Sequence, residues 1–136
     1  MKLTLTVAIF LFATVLADSI TEDVKTRLKQ SKDKCQLDPK TAVDQEGLQK
    51  YISSKGKEPA PENIGQHALC VSKEMKWQKA DGTVNKQYLR ERLSIIEKDA
   101  AKVDQFLNSC AVDKATEVET ARNLFNCYDK HVSTYN

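Results

Sequence analysis

From residue 20 onward the apolar positions recur at intervals of three and four, the spacing that puts side chains on one face of an α-helix. Ile20, Val24, Leu28, Ser31 and Cys35 make the first such stripe and predict a helix over about Thr21–Cys35. Ser19-Ile20-Thr21-Glu22 fits a capping box at its start, and Leu37-Asp38-Pro39-Lys40 stops it, because the residue before a proline disfavours the helical region. A short second helix is expected at about Asp44–Ser54, with Leu48 and Tyr51 or Ile52 inward and Gly47 weakening it. A third begins at Pro61 or Glu62 and turns Ile64, Ala68, Val71 and Met75 to one side, with His67, Cys70 and Trp77 beside or just beyond that face.

Three more stripes follow. Asn85 suits an N-cap for a helix to Lys98 carrying Tyr88, Leu89, Leu93, Ile95 and Ile96. Val103, Phe106, Leu107 and Cys110 mark a fifth helix over Ala100–Ala111. Val118, Ala121, Phe125, Tyr128 and Val132 mark a sixth over Thr116–Val132, followed by a polar tail, Ser133–Asn136. Glycine and proline fall between these segments, and no alternating run with hairpin signals occurs. The expected fold class is all-α: a compact six-helix bundle with an apolar interior.

The first residues belong to a different pattern. Lys2 precedes an apolar run from Leu3 to Leu16, and Val15-Leu16-Ala17 supplies a cleavage site, so Met1–Ala17 reads as a signal peptide. The run is shorter than the roughly 20 residues a spanning helix needs. The expectation is a secreted, extracellular domain over residues 18–136 with no membrane insertion. The whole chain holds 21 basic and 19 acidic side chains, so losing Lys2 leaves it almost neutral. The charges are interspersed, which argues against nucleic acid as a partner.

Four cysteines, Cys35, Cys70, Cys110 and Cys127, stand in the pattern C-x34-C-x39-C-x16-C. In a short secreted chain an even count reads as a disulfide framework, and spacing alone does not choose among three connectivities. There is no C-x-x-C pair, and the histidines are His67 and His131 alone, so neither a metal site nor a cofactor is expected. No H-E-x-x-H, G-x-S-x-G or phosphate-loop pattern occurs, and no catalytic residue is assigned. His67 reads as a histidine beside the core, and His131 as a surface residue near a helix C-terminus.

With signal peptide, size, six helices and this cysteine pattern together, the mature chain resembles the insect odorant-binding (pheromone-binding) protein family in its reduced-cysteine branch. Members typically carry six cysteines, with C-x3-C between the second and third and C-x8-C between the fifth and sixth. On that alignment Gln66 stands at the second position and Val118 at the fifth. The stretch Cys70-Val71-Ser72-Lys73-Glu74-Met75-Lys76-Trp77 followed by Asp81-Gly82 also has the family's look. The resemblance implies bonds Cys35–Cys70 and Cys110–Cys127 stapling the bundle around an enclosed apolar cavity, loss of one whole bridge, and proximity of Gln66 to Val118.

It further implies a carrier of small hydrophobic ligands such as odorants or pheromones, a monomer or weak dimer, acting on a membrane receptor only indirectly. The expected ligand-binding residues are Ile64, Ala68, Met75, Trp77, Tyr88, Leu93, Ile96, Phe106, Leu107, Phe125 and Tyr128. Helical phase alone also fits an ordinary core for these residues. Tyr88 or Tyr128 is the expected hydrogen-bond donor to a ligand oxygen, and Trp77 is placed near the mouth. The alternatives are a haemolymph, gland or salivary carrier of other small ligands, and a helical signal that works through its surface.

Overall fold

In the computed structural model, residues 22–135 are described, and their side chains as far as residue 130. The signal peptide and the Ser19 capping box fall outside these residues, as does the side chain of His131. Six helices are present: α1 over 22–36, α2 Gln45–Ser53, α3 Ile64–Glu74, α4 Lys86–Ile96, α5 Ala100–Cys110 and α6 Glu117–Tyr135. Among the described residues the only strand-like pairing is an isolated bridge between Gln78 and Val84.

Side-chain caps fix several helix starts where the sequence places them. Asp44 accepts from Gly47 N at the head of α2, and Asn85 accepts from Tyr88 N at the head of α4. Asp99 accepts from Ala101 N at the head of α5, and Thr116 from Glu119 N at the head of α6. Each oxygen takes one of the N–H groups that a helix leaves unpaired in its first turn.

Two boundaries differ from expectation. α3 starts at Ile64 rather than Pro61, because Asn63 takes a left-handed conformation (φ 63°) that no helix interior accommodates. α6 runs on to Tyr135, through residues read as a polar tail. The apolar stripe that sets the expected end of this helix stops at Val132, whereas its backbone hydrogen bonding runs on.

The two disulfides join Cys35 to Cys70 and Cys110 to Cys127, and no described cysteine is free. One ties α1 to α3 and the other α5 to α6. In the chain-entropy picture each contributes about 3–4 kcal/mol by restricting the unfolded chain. α3 lies along α6, while α4 packs on α5 and α5 on α6. The core fills the space between them, with Cys35, Val71, Met75, Trp77, Val84, Leu89, Val103, Leu107, Ala111 and Leu124 all buried.

Two glycines allow close approaches. Gly65 on α3 leaves room for Val118 of α6, and Gly82 (φ 91°) presents its bare α-carbon to Glu117. Glu117 also pairs with Lys73 of α3 at 3.2 Å, and its carbonyl accepts from Gln78 Nε2 at 3.0 Å. Gln78 donates as well to Gly82 O at 2.8 Å, and Val84 N donates to Asp113 Oδ1 at 2.8 Å. The α3–α4 turn is thus fastened to the start of α6. No described helix is long and apolar enough to cross a membrane.

Candidate functional site

Three aromatic side chains meet where α3 ends. Met75 N still bonds to Val71 O, but Lys76 turns left-handed (φ 65°) and the helix stops. That turn carries Trp77 inward: its N–H bonds to Ser72 O at 3.0 Å, and its carbonyl accepts from Asn85 N at 2.8 Å. The buried indole meets two rings from α6, Phe125 at 5.1 Å (55° between planes) and Tyr128 at 5.3 Å (39°). Phe125 and Tyr128 are three residues apart and so share a face of α6. Tilted rings at these separations attract through their quadrupoles, by about 0.5–1.5 kcal/mol a pair beyond area burial.

Met75 and Leu107 are buried in the same core, and Tyr88, Leu93 and Phe106 pack against it half-buried. Eight of the expected ligand-binding residues are thus together: Met75, Trp77, Tyr88, Leu93, Phe106, Leu107, Phe125 and Tyr128. Ile64 and Ala68 are half-buried on the first turns of α3, outside this cluster, and Ile96 stands 42% exposed at the end of α4. An open, shallow depression lies elsewhere, on the outer face of α5, lined by Ala101, Asp104, Gln105, Asn108 and Ser109.

Tyr88 is the polar member of the cluster with a defined partner. Arg27 Nη1 donates to its hydroxyl oxygen at 2.8 Å. The oxygen acts as acceptor in that bond, so the hydroxyl proton stays available to an acceptor of another molecule. Tyr128 is held protonated by burial, reinforced by the negative charge of Asp129, both of which raise its pKa.

Polar groups also lie under this cluster. Gln78 and Ser72 are buried, and among the described residues neither Gln78 Oε1 nor Ser72 Oγ has a hydrogen-bond partner. His67 is buried on α3, with Nδ1 2.9 Å from Thr41 O. Burial lowers its pKa and Lys32 lowers it further, against the raising effect of the Thr41 carbonyl, so the neutral ring donates Nδ1–H to Thr41. Among the described residues no group of histidines, cysteines and carboxylates could hold a metal ion.

Sequence periodicity missed Arg27, Val84 and Leu124. Leu124 lies three residues beyond Ala121 and four before Tyr128, so a stripe stepping through Leu124 in place of Phe125 would have included it. Arg27 and Val84 carry no such signal: one is a charged helix residue, the other sits in a loop. The arrangement packs apolar side chains around one tyrosine hydroxyl that Arg27 orients.

No curated protein and no solved structure matches the chain. A family model, that of the PBP/GOBP family, matches residues 17–131. The two disulfides and the six helices fit this match, and the chain therefore belongs to the PBP/GOBP family, the insect odorant- and pheromone-binding proteins, whose members carry small hydrophobic ligands.

Proposed function

We propose that the protein is a secreted carrier that takes up small hydrophobic molecules, odorants or pheromones, and moves them through an aqueous fluid without transforming them. Family membership carries this reading. The cluster around Trp77 agrees with it, since side chains from α4, α5 and α6 and from the end of α3 converge there under two disulfides. Enclosure removes a ligand's apolar surface from water, a gain of about 25 cal/mol per Å². The ligand-contacting set is Ile64, Ala68, Met75, Trp77, Tyr88, Leu93, Ile96, Phe106, Leu107, Phe125 and Tyr128, with Tyr88 directing its hydroxyl to a ligand oxygen. Any membrane receptor is served only indirectly, by delivery.

The test uses the protein's own reporter. Trp77 is the sole tryptophan of the chain and is in ring contact with two residues of the set. Titration with volatile alcohols, esters, terpenoids and fatty acids should change its emission saturably at micromolar ligand, and the same ligands should displace an apolar fluorescent probe. A correctly oxidised protein that binds neither probe nor panel is not a carrier, and the search then moves to a protein receptor for its surface.

A further inference from the structure

The core that a ligand must reach is closed: Met75, Val71 and Leu107 are at most 4% exposed. Uptake therefore needs a segment to move, and the segment that moves is the one whose displacement breaks least. α1 is held by buried Ser31 and by Cys35 in its disulfide. α3, α5 and α6 each bury several side chains and each carry or adjoin a disulfide. α4 buries Leu89 and is tied to its neighbours by Arg27–Tyr88, Arg92–Asp23 and Arg90–Asp104. α2 differs from all of them. It buries no residue, its ion pair (Lys50 to Glu46) lies within the helix, and Ile52 is 54% exposed.

The two ends of this segment are pinned. On one side the Gln36 carboxamide donates to Val43 O at 2.9 Å and accepts from Val43 N at 2.8 Å. Thr41 donates its hydroxyl to Cys35 O at 2.7 Å, and its own carbonyl accepts from His67. On the other side the chain re-enters regular structure at Ile64, directly after the left-handed Asn63. Between these roots, residues 55–60 are exposed, and Lys55 and Gly56 take left-handed conformations (φ 56° and 83°). The Cys35–Cys70 bond lies outside both roots and keeps them together whatever the intervening chain does.

We propose that residues 44–60 form a strap that swings outward, hinged at Val43 and in the exposed stretch 55–60, and admits ligand along the first turns of α3, where Ile64 and Ala68 are half-buried. This rests on the carrier reading. It adds to that reading the route of entry and the element that sets the rate.

The strap can be locked. A Cβ at Gly47 would lie 3.5 Å from Pro61 Cβ, at the short end of the Cβ–Cβ range for a disulfide. Gly47→Cys with Pro61→Cys thus ties α2 to the root of α3, and the Gly47→Ser, Pro61→Ser pair is the unlinked control. Stopped-flow binding of N-phenylnaphthylamine should show association and dissociation both slowed by about tenfold in the locked protein, with Kd little changed. Hydrogen exchange of the unmodified protein gives a second reading: amides of α2 should exchange about 100-fold faster than those of α3 and α6. Equal rates in locked and control proteins overturn the strap, as does α2 protection equal to that of α3, and either leaves the carrier standing. Failure of the unmodified protein to bind the probe or any of the ligand panel removes the carrier reading and the strap with it.

Discussion

Val118 occupies the space that a side chain on Gly65 would need: a Cβ built on Gly65 falls 2.6 Å from Val118 Cγ1. This is where α3 and α6 come closest to the position of the bridge that this chain lacks, since Gln66 and Val118 stand where the resemblance places the absent cysteines. A valine methyl group against a bare α-carbon holds together what a covalent bond holds in six-cysteine relatives. Gly65→Ala should therefore destabilise the protein by about 1–3 kcal/mol through overpacking, although alanine is the better helix former by about 1 kcal/mol. Adding Val118→Ala should restore part of the loss. Urea unfolding of the two single variants and the double variant gives the coupling directly, and additive effects would mean the two residues do not meet in solution.

The same geometry predicts that the third bridge can be built. Gln66→Cys with Val118→Cys should oxidise spontaneously, leave no titratable thiol, and raise stability by up to about 4 kcal/mol for a loop of this length. Thiol counting and the shift in Tm check it. Persistent free thiols would show that the cysteine alignment is off by a residue, with Gly65 rather than Gln66 facing α6.

Helix number and most boundaries were legible because each rests on a local signal, a stripe or a cap; the two disulfide pairings come only from the family resemblance, since the cysteine spacing leaves three connectivities open. What the stripe could not supply was the partner of each apolar face. Ile96 sits in phase with Leu89 and Leu93 yet stands 42% exposed at the end of α4, and its place in a ligand set rests on helical phase alone. Trp77 was legible as an aromatic beyond a helix. The left-handed Lys76 that aims it at Phe125 and Tyr128 was not, because lysine carries no sequence signal for φ > 0. Arg27 reaches Tyr88 across 61 residues, a contact that only the packing of α1 on α4 creates.

That contact gives Tyr88 a test. Tyr88→Phe keeps the ring and removes the hydroxyl that Arg27 orients. Affinity for alcohols, aldehydes or esters should fall by about five- to tenfold, the worth of one hydrogen bond of roughly 1–1.5 kcal/mol, while hydrocarbons of the same shape bind unchanged. Competitive displacement with matched ligand pairs reads the difference. An equal loss for both classes would assign Tyr88 a packing role only.

His67 makes stability depend on pH in a predictable direction. Its folded-state pKa lies below the ordinary 6.5, first because burial disfavours the charged ring, and also because Lys32 repels it. The unfolded chain therefore takes up a proton at a higher pH than the folded one. The stability this residue contributes is fully present above pH 6.5 and is lost as pH falls from there through the lower folded-state pKa. The slope reaches at most about 1.4 kcal/mol per pH unit between the two values. His67→Gln, compared with the parent protein between pH 7.5 and 5, should flatten this part of the profile. An unchanged slope would place the transition on other groups.

Ser72 is the reverse case, a polar group whose removal should help. It is fully buried on α3, its carbonyl accepts from Trp77 N, and among the described residues its hydroxyl oxygen has no hydrogen-bond partner. Burying a hydroxyl without a partner costs about 1–3 kcal/mol, and alanine is the stronger helix former by about 0.5 kcal/mol. The cavity left by one oxygen offsets part of this, so Ser72→Ala should stabilise the protein by about 1 kcal/mol in urea unfolding. Destabilisation of that size would mean that the hydroxyl is bonded in solution, through an internal water or a bound ligand. Repeating the measurement with saturating ligand separates these two, because only a hydroxyl that bonds to ligand makes the variant's loss grow when ligand is present.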